Sequence, residues 1–150
     1  TSSAVYIKKI TSTEITDYNL TNRERDIMSI LWNSDKSLIA SEVVKERDDL
    51  TINTVQAVLK KLLRRNFIKV DQIVYSGTVL CRSYLPTLSE PEYETKVITK
   101  SICGLKRFNI SPAKFIVEFF ADSDEEVTQE EAQQLIEMIQ SRREKQKKGK

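Results

Sequence analysis

The chain has 150 residues, a formal net charge of +2 and 39% hydrophobic residues, which suits one folded domain or a small domain joined to an assembly module. It contains no histidine, three glycines and two cysteines that lie far apart in sequence, Cys81 and Cys103. This composition excludes serine triads, zinc sites, CxxC redox motifs and glycine-rich phosphate loops, so we expect no enzyme, no metal and no cofactor. The cysteines are expected to be reduced thiols in a cytoplasmic protein, and no apolar run approaches the about 18 residues that predict a membrane span.

Charge is distributed unevenly along the chain. Acids concentrate between Glu125 and Glu131, whereas residues 60–69 and 142–150 are basic. Segregation of this kind is the usual electrostatic footprint of a nucleic-acid binder, and solvated faces that happen to differ in charge are the alternative.

The first helix is predicted to begin at Thr21, after an N-terminal extension over residues 1–19 that is expected to be partly disordered. A short strand in the extension is suggested by Val5, Ile7 and Ile10. Thr21 to Glu24 matches a capping box. The helix then places one apolar face toward the core, with Ile27, Met28, Leu31 and Trp32.

A short apolar piece and a second helix follow. Residues 37–40 suggest a single edge strand. The helix is predicted over residues 41–47, where Val43 and Val44 would be buried.

The third helix lies in a stretch from Thr51 to Val70 that contains no Asp or Glu. Thr51 is predicted to cap this helix, which should end near Asn66. Its apolar stripe comprises Ile52, Val55, Leu59, Leu62 and Leu63. Its opposite face comprises Asn53, Gln56, Ala57, Lys60, Lys61 and Arg64. Amides, a small residue and cations on one face suit the DNA major groove, and an ordinary solvated amphipathic helix is the alternative.

Positions on this helix predict individual roles. Asn53 and Gln56 are expected to read base edges, and Ala57 lets the backbone approach the bases and a thymine methyl group. Thr51, Asn53 and Thr54 lie at the helix start, where free N–H groups and the positive end of the dipole favour a phosphate. The cations further along are expected to contact phosphates or solvent, namely Lys60, Lys61, Arg64 and Arg65.

Alternating patterns over residues 67–75 and 78–85 predict a β-hairpin with a Ser76-Gly77 tip, which Pro86 ends. One face of its second strand is predicted to carry Val79, Cys81 and Ser83. Arg82 and the wing tip over residues 75–78 are candidates for contact with the DNA backbone or an adjacent minor groove. For Arg82, a salt bridge to a nearby acid is the equal alternative.

The order helix, short strand, helix, helix, hairpin is that of a winged helix-turn-helix, in which the third helix reads DNA and the hairpin is the wing. We therefore predict a mainly α-helical protein with a small β-hairpin, in which residues 20–88 form a winged-helix DNA-binding domain.

Residues 89–150 are predicted to form a dimerisation domain of three helices that ends in a basic tail. A capping box at Ser89 opens the first of these helices, which should reach about Lys106. A capping box at Thr128 opens the third, which should fray from Arg142. The second helix is apolar around almost its whole circumference, so a second chain would cover it better than two flanking helices, and a monomer whose halves pack together is the alternative. The predicted dimer contacts are Tyr93, Val97, Phe115, Ile116, Phe119, Phe120, Leu135, Ile136 and Ile139.

Three segments, LTNRERDIMSILW, TINTVQAVLKKLLRRNFI and RSYLP, resemble the penicillinase-repressor family, which includes β-lactamase, methicillin-resistance and copper-responsive repressors. The likeness covers residues 20–140 and continues through PAKFIVEFFA and TQEEAQQL. It implies a homodimeric bacterial repressor bound to a palindromic operator.

The chain departs from the family pattern at several positions. Thr51 and Thr54 match the start of the family's reader helix, but Ile52 replaces a proline and Asn53 replaces a lysine, which leaves the operator sequence open. The Cys-x-Cys motifs of the copper-responsive members are absent, so we reject copper sensing.

The antibiotic-resistance members are cut by a membrane antirepressor protease at an Asn-Phe bond in the helix after the wing. Here that place falls near Gly104-Leu105, and the nearby Phe108-Asn109 has the reverse order. An antirepressor protease is therefore a partner that the resemblance implies and the local sequence does not support.

These patterns predict a sequence-specific transcriptional repressor that binds double-stranded operator DNA as a homodimer. The alternative is a winged-helix module for protein–protein interaction that lacks specific DNA readout.

Overall fold

The computed structural model describes residues 14–149, so the strand suggested at Val5, Ile7 and Ile10 lies outside the described residues. The chain forms two compact units, of which the first ends at Ile102 and the second begins at Cys103. Within the described part of the chain, no helix is long and apolar enough to cross a membrane.

Three helices open the first unit: α1 (Asn22–Trp32), α2 (Ala40–Lys45) and α3 (Ile52–Arg64). The predicted capping box of α1 is present, because Thr21 Oγ1 accepts the N–H of Glu24 at 3.2 Å while Glu24 Oε1 accepts the N–H of Thr21 at 3.1 Å. Helix α2 begins at Ala40, so the predicted edge strand over residues 37–40 is reduced to a single bridge between Leu38 and Tyr84.

Two antiparallel strands, β1 (Ile68–Ser76) and β2 (Val79–Pro86), form the wing. The loop between them is Gly77-Thr78, one residue later than predicted, and Gly77 has φ +65°, a conformation that favours glycine in two-residue hairpin loops. The register shifts between Val70 and Gln72, which makes a β-bulge in β1.

Buried Ser83 stabilises that bulge. Its hydroxyl accepts the N–H of Gln72 at 3.0 Å and donates to the carbonyl of the same residue at 3.2 Å. Of the three β2 residues predicted to share a face, Ser83 is buried and Cys81 is half-buried, whereas Val79 is 62% exposed. Only the part of the wing nearest the helices therefore contributes to the core.

The core of the first unit is formed by all three helices, both strands and the helix that follows the wing. Its buried members include Ile27, Met28, Leu31, Val43, Val55, Leu59, Leu62, Phe67, Ile68 and Tyr93. Trp32 packs at the edge of this core, as predicted, and its Nε1–H donates to the carbonyl of Leu88 at 2.9 Å. Val44 is half-buried rather than buried.

Residues 14–20 belong to this fold, although residues 1–19 were expected to be a partly disordered extension. Ile15, Tyr18 and Leu20 pack against the core. The hydroxyl of Tyr93 donates to the carbonyl of Tyr18 at 2.8 Å, which ties the segment to the helix after the wing.

The later helices are α4 (Glu90–Cys103), α5 (Pro112–Asp122) and α6 (Gln129–Lys148), with a 3₁₀ turn over Gly104–Phe108 after α4. The α-helical part of α4 ends earlier than the predicted Lys106. Helix α6 continues to Lys148, so the prediction that it frays from Arg142 was wrong. The fold class of a winged helix-turn-helix followed by helices is confirmed.

Candidate nucleic-acid interface

Helix α3 packs through its predicted apolar stripe. Val55, Leu59 and Leu62 are buried, and Leu63 is half-buried. Ile52 does not follow the stripe and is 41% exposed. It occupies the first helical position, and helical side chains lean toward the N-terminus, so Ile52 projects past the start of the helix rather than into the core.

The opposite face of α3 is open to solvent. Every residue predicted on it is exposed, namely Asn53, Gln56, Ala57, Lys60, Lys61 and Arg64. No acid occurs in the first turn of this helix, and Lys61 and Arg64 are its basic residues in the last turn. The arrangement leaves amides near the helix start and cations toward its end, all exposed to solvent.

The start of α3 is ordered by a threonine pair. Thr51 Oγ1 accepts the N–H of Thr54 at 3.2 Å and donates to Thr54 Oγ1 at 2.9 Å. This cap satisfies one first-turn donor and leaves other N–H groups of the first turn available to an anion. Thr51 is exposed and Thr54 is half-buried, so of the two only Thr51 lies fully at the surface.

Two arginines offset the charge of Asp49, the last acid before this helix start. Asp49 accepts hydrogen bonds from Arg47 at 2.8 Å and from Arg23 at 2.8 Å. The hydrogen bonds from Arg47 and then Arg23 lower the pKa of Asp49 to about 2. Because Asp49 shares its charge with two guanidinium groups, it repels a phosphate at the helix start less than an unpaired carboxylate would.

A cleft separates α3 from the wing. Ile52 and Gln56 line it on the helix side, and Leu80, Cys81 and Arg82 line it on the wing side. No carboxylate of residues 14–149 forms a salt bridge with Arg82, which is exposed. The salt-bridge interpretation of Arg82 therefore finds no partner among the described residues.

Arg65 serves the fold rather than the exposed face. Its guanidinium donates to Glu24 Oε2 at 2.6 Å and to the carbonyls of Asp17 and Asn19 at 3.0 and 2.6 Å. It also lies over the ring of Phe67, 4.9 Å from the centroid. The expectation that Arg65 contacts phosphate or solvent is therefore wrong.

Helical periodicity contained a signal for this role. At about 100° per residue, Arg65 lies about 60° from buried Leu62, whereas Arg64 lies about 160° from it. Its partner Glu24 lies 41 positions away and matches a capping box in the sequence, so local patterns do not reveal the ion pair.

The predicted dimer contacts fall into two groups. Tyr93 is buried in the core of the first unit, where its ring lies 5.4 Å from that of Trp32, and Val97 packs against the same core. The other predicted contacts carry large exposed apolar surfaces on α5 and α6: Phe115, Ile116, Phe119, Phe120, Leu135, Ile136 and Ile139. In the second unit, the described residues include no buried apolar side chain.

A hairpin after three helices, with the third helix exposing an amide and cation face, defines a winged helix-turn-helix protein. The family model described as penicillinase repressor matches residues 20–141, and the chain belongs to this family. The family consists of non-enzymatic, DNA-binding transcriptional repressors, which confirms both the resemblance and the expectation that the chain is not an enzyme. A comparison with curated proteins found no match.

Proposed function

We propose that this repressor reads a specific palindromic operator and acts as a homodimer. The observation that carries the proposal is the exposed, acid-free face of α3, a helix anchored in the core by the buried side chains of Val55, Leu59 and Leu62. A rigid helix presents its side chains in fixed register, as base readout requires. Family membership supports DNA binding by a winged helix, and the residues on this face supply candidates for specificity.

We assign three kinds of DNA contact to the residues of this interface. Asn53 and Gln56 offer amides that can donate and accept at a base edge, and Ala57 beside them on the exposed face allows close approach. Thr51 and the N–H groups of the first turn bind a phosphate, with Thr54 acting through the cap. The cations Lys60, Lys61, Arg64 and Arg82 neutralise phosphates and add affinity that is independent of sequence.

Exposed apolar surface on the second unit supports the homodimer. Phe119 and Ile136 are 51% and 50% exposed, and they lie among other exposed apolar residues on α5 and α6. Large amounts of exposed apolar surface are rare on monomers and mark an interface. A second copy supplies the matching apolar face by symmetry and brings a second reader helix for a half-site about 34 Å away.

We do not include cleavage by an antirepressor protease in the proposed function. The Gly104-Leu105 position lies in the 3₁₀ turn, where both residues are half-buried, and no Asn-Phe bond occurs at that place. An antirepressor protease remains a partner that only the family resemblance implies.

Selection of bound duplexes from a random-sequence pool, followed by gel-shift titration of the variants, tests the proposal. We expect an enriched inverted repeat. Asn53→Ala or Gln56→Ala should then lose about 1–3 kcal/mol on the selected duplex and keep its affinity for random duplexes. Lys60→Ala is the matched control on the same face, and it should weaken both kinds of duplex alike and lower the salt slope by about one.

Failure to enrich any sequence would refute specific readout. Full operator preference in both the Asn53 and the Gln56 variants would refute the assignment of these two residues as readers. The two results are distinguishable because the first concerns the parent chain and the second concerns only the variants.

A further inference from the structure

The end of α6 carries a concentration of positive charge that the reader helix does not explain. Over residues 142–148 the chain has five cations and one acid. The cations are Arg142, Arg143, Lys145, Lys147 and Lys148. All five are exposed, and none forms a salt bridge with a carboxylate of residues 14–149. We call residues 142–148 the basic end.

The basic end lies outside the family match, which stops at residue 141 while the helix continues to Lys148. The family match therefore does not account for the basic end. Because it is helical rather than irregular, its charges are held along one rod instead of being spread over a flexible chain.

Stabilisation of the helix terminus accounts for only part of this charge. Cations at a helix C-terminus interact favourably with the dipole, but the effect falls off within the last turn. Lys145, Lys147 and Lys148 occupy that turn, whereas Arg142 and Arg143 lie before it. The two arginines therefore need a separate explanation.

The composition of the basic end also favours a DNA backbone over a lipid surface as its partner. Residues 141–148 contain no apolar side chain, so the segment lacks the apolar face that an amphipathic helix buries in a lipid interface. The exposed cations instead match the regular negative charge of a duplex backbone.

Resting on the proposed function, we propose that the basic end is a second DNA site, which binds phosphates without reading sequence while α3 reads the operator. Since both sites are on one chain, binding by α3 raises the effective concentration of DNA at the basic end. The basic end would therefore add affinity and salt dependence to every duplex but no sequence preference.

A five-residue neutralisation tests this site in the full chain. The first variant changes all five cations to glutamine, a good helix former: Arg142→Gln, Arg143→Gln, Lys145→Gln, Lys147→Gln and Lys148→Gln. The matched control neutralises five other exposed cations: Lys96→Gln, Lys100→Gln, Lys106→Gln, Arg107→Gln and Lys114→Gln. Both variants have a formal net charge of −3, which is five below the +2 of the parent.

Affinity for a random-sequence duplex is measured as a function of salt concentration for the parent and both variants. Each lost phosphate contact lowers the slope of log K against log salt by about 0.9. We expect the basic-end variant to lose about 2–4 from the slope per chain and at least about tenfold in affinity at low salt, with much smaller losses in the control. Preference for the selected operator over random duplexes should remain unchanged.

Equal slopes for the two variants would overturn the proposal, because the effect would then come from net charge alone. A changed oligomeric state in the basic-end variant, with an unchanged slope, would overturn the proposal. It would indicate that the basic end binds the acidic residues 125–131 of another copy. Binding to phosphatidylserine vesicles that the neutralisation abolishes, again with an unchanged slope, would assign it to a membrane surface.

A chain that ends at Ser141 separates charge from folding. If circular dichroism shows that the glutamine variant has lost helix, the truncated chain replaces it in the same titration. If the parent shows no preference for any operator sequence, the proposed function is refuted. The proposal for the basic end is still tested, because the salt slope is measured on random duplexes.

Discussion

Glu24 is 1% exposed, yet its carboxylate keeps its charge through a set of donors around it. Burial raises the pKa of Glu24, but the hydrogen bonds from the backbone and hydroxyl of Thr21, together with Arg65, outweigh burial and lower it below the ordinary 4.5. A carboxylate with a lowered pKa stabilises the fold above pH 4.5, and this contribution is lost as the pH falls through its folded value.

The charged pair also joins three parts of the first unit. Glu24 lies in the first turn of α1, Arg65 follows α3, and the same guanidinium donates to the carbonyls of Asp17 and Asn19. The orientation of α3 therefore depends on a cation that does not lie on its exposed face.

We expect Arg65→Gln to destabilise the protein by about 2–4 kcal/mol, because it leaves a buried carboxylate without its cation. Arg64→Gln is the neighbouring control, and it should change stability by less than about 0.5 kcal/mol since Arg64 is exposed. Urea unfolding followed by circular dichroism measures both. Equal stability of the two variants would show that the ion pair does not support the fold.

At the scale of elements, the end of α3 determines where the wing begins. Asn66 adopts a left-handed conformation with φ 67°. The N–H of Phe67 then reaches the carbonyl of Leu62 at 3.0 Å, and the N–H of Asn66 reaches that of Leu63 at 3.1 Å. This is a Schellman motif, and the buried side chains of Phe67 and Leu62 supply its apolar contact.

Asn66→Ala should cost about 1–2 kcal/mol, because alanine pays the full steric penalty of the left-handed conformation. Asn66→Gly is the matched comparison and should stay close to the parent, since glycine adopts the same backbone freely. Thermal unfolding of both variants measures the difference. Equal stability of the alanine and glycine variants would show that residue 66 does not adopt the left-handed conformation on which the Schellman motif depends.

At the scale of the whole molecule, the two units differ in how they bury apolar residues. The first unit has a core of buried side chains, whereas every large apolar side chain of α5 is at least 36% exposed. A helix that exposes this much apolar surface requires a partner surface to cover it.

Phe119→Glu combined with Ile136→Glu should convert a dimer into a monomer, because each change places a charge in the proposed apolar interface. Ser141→Glu serves as the control, because exposed Ser141 lies about 140° around α6 from Ile136 and so adds a charge away from the proposed apolar interface. Light scattering coupled to size-exclusion chromatography measures the mass of each. A double variant that keeps the mass of the parent would place the dimer contact elsewhere.

Much of the architecture was predictable because its causes are local. The side-chain caps at Thr21, Thr51 and Thr128 each join residues only three apart, and all three form, although the reciprocal carboxylate contact of the predicted capping box is present at Thr21 and not at Thr128. Periodicity placed Val55, Leu59 and Leu62 on the buried side of α3, and strand alternation located the hairpin to within one residue of its tip.

By itself, the sequence determined the order of the elements, their caps and the chemistry of the α3 face, because these depend on residues within a few positions of one another. Only the tertiary structure decided that Arg65 pairs with Glu24 across 41 positions, that Tyr93 fills the core of the first unit, and that residues 14–20 pack beside it. Such contacts join distant parts of the chain, so burial and charge pairing depend on packing that no local pattern contains.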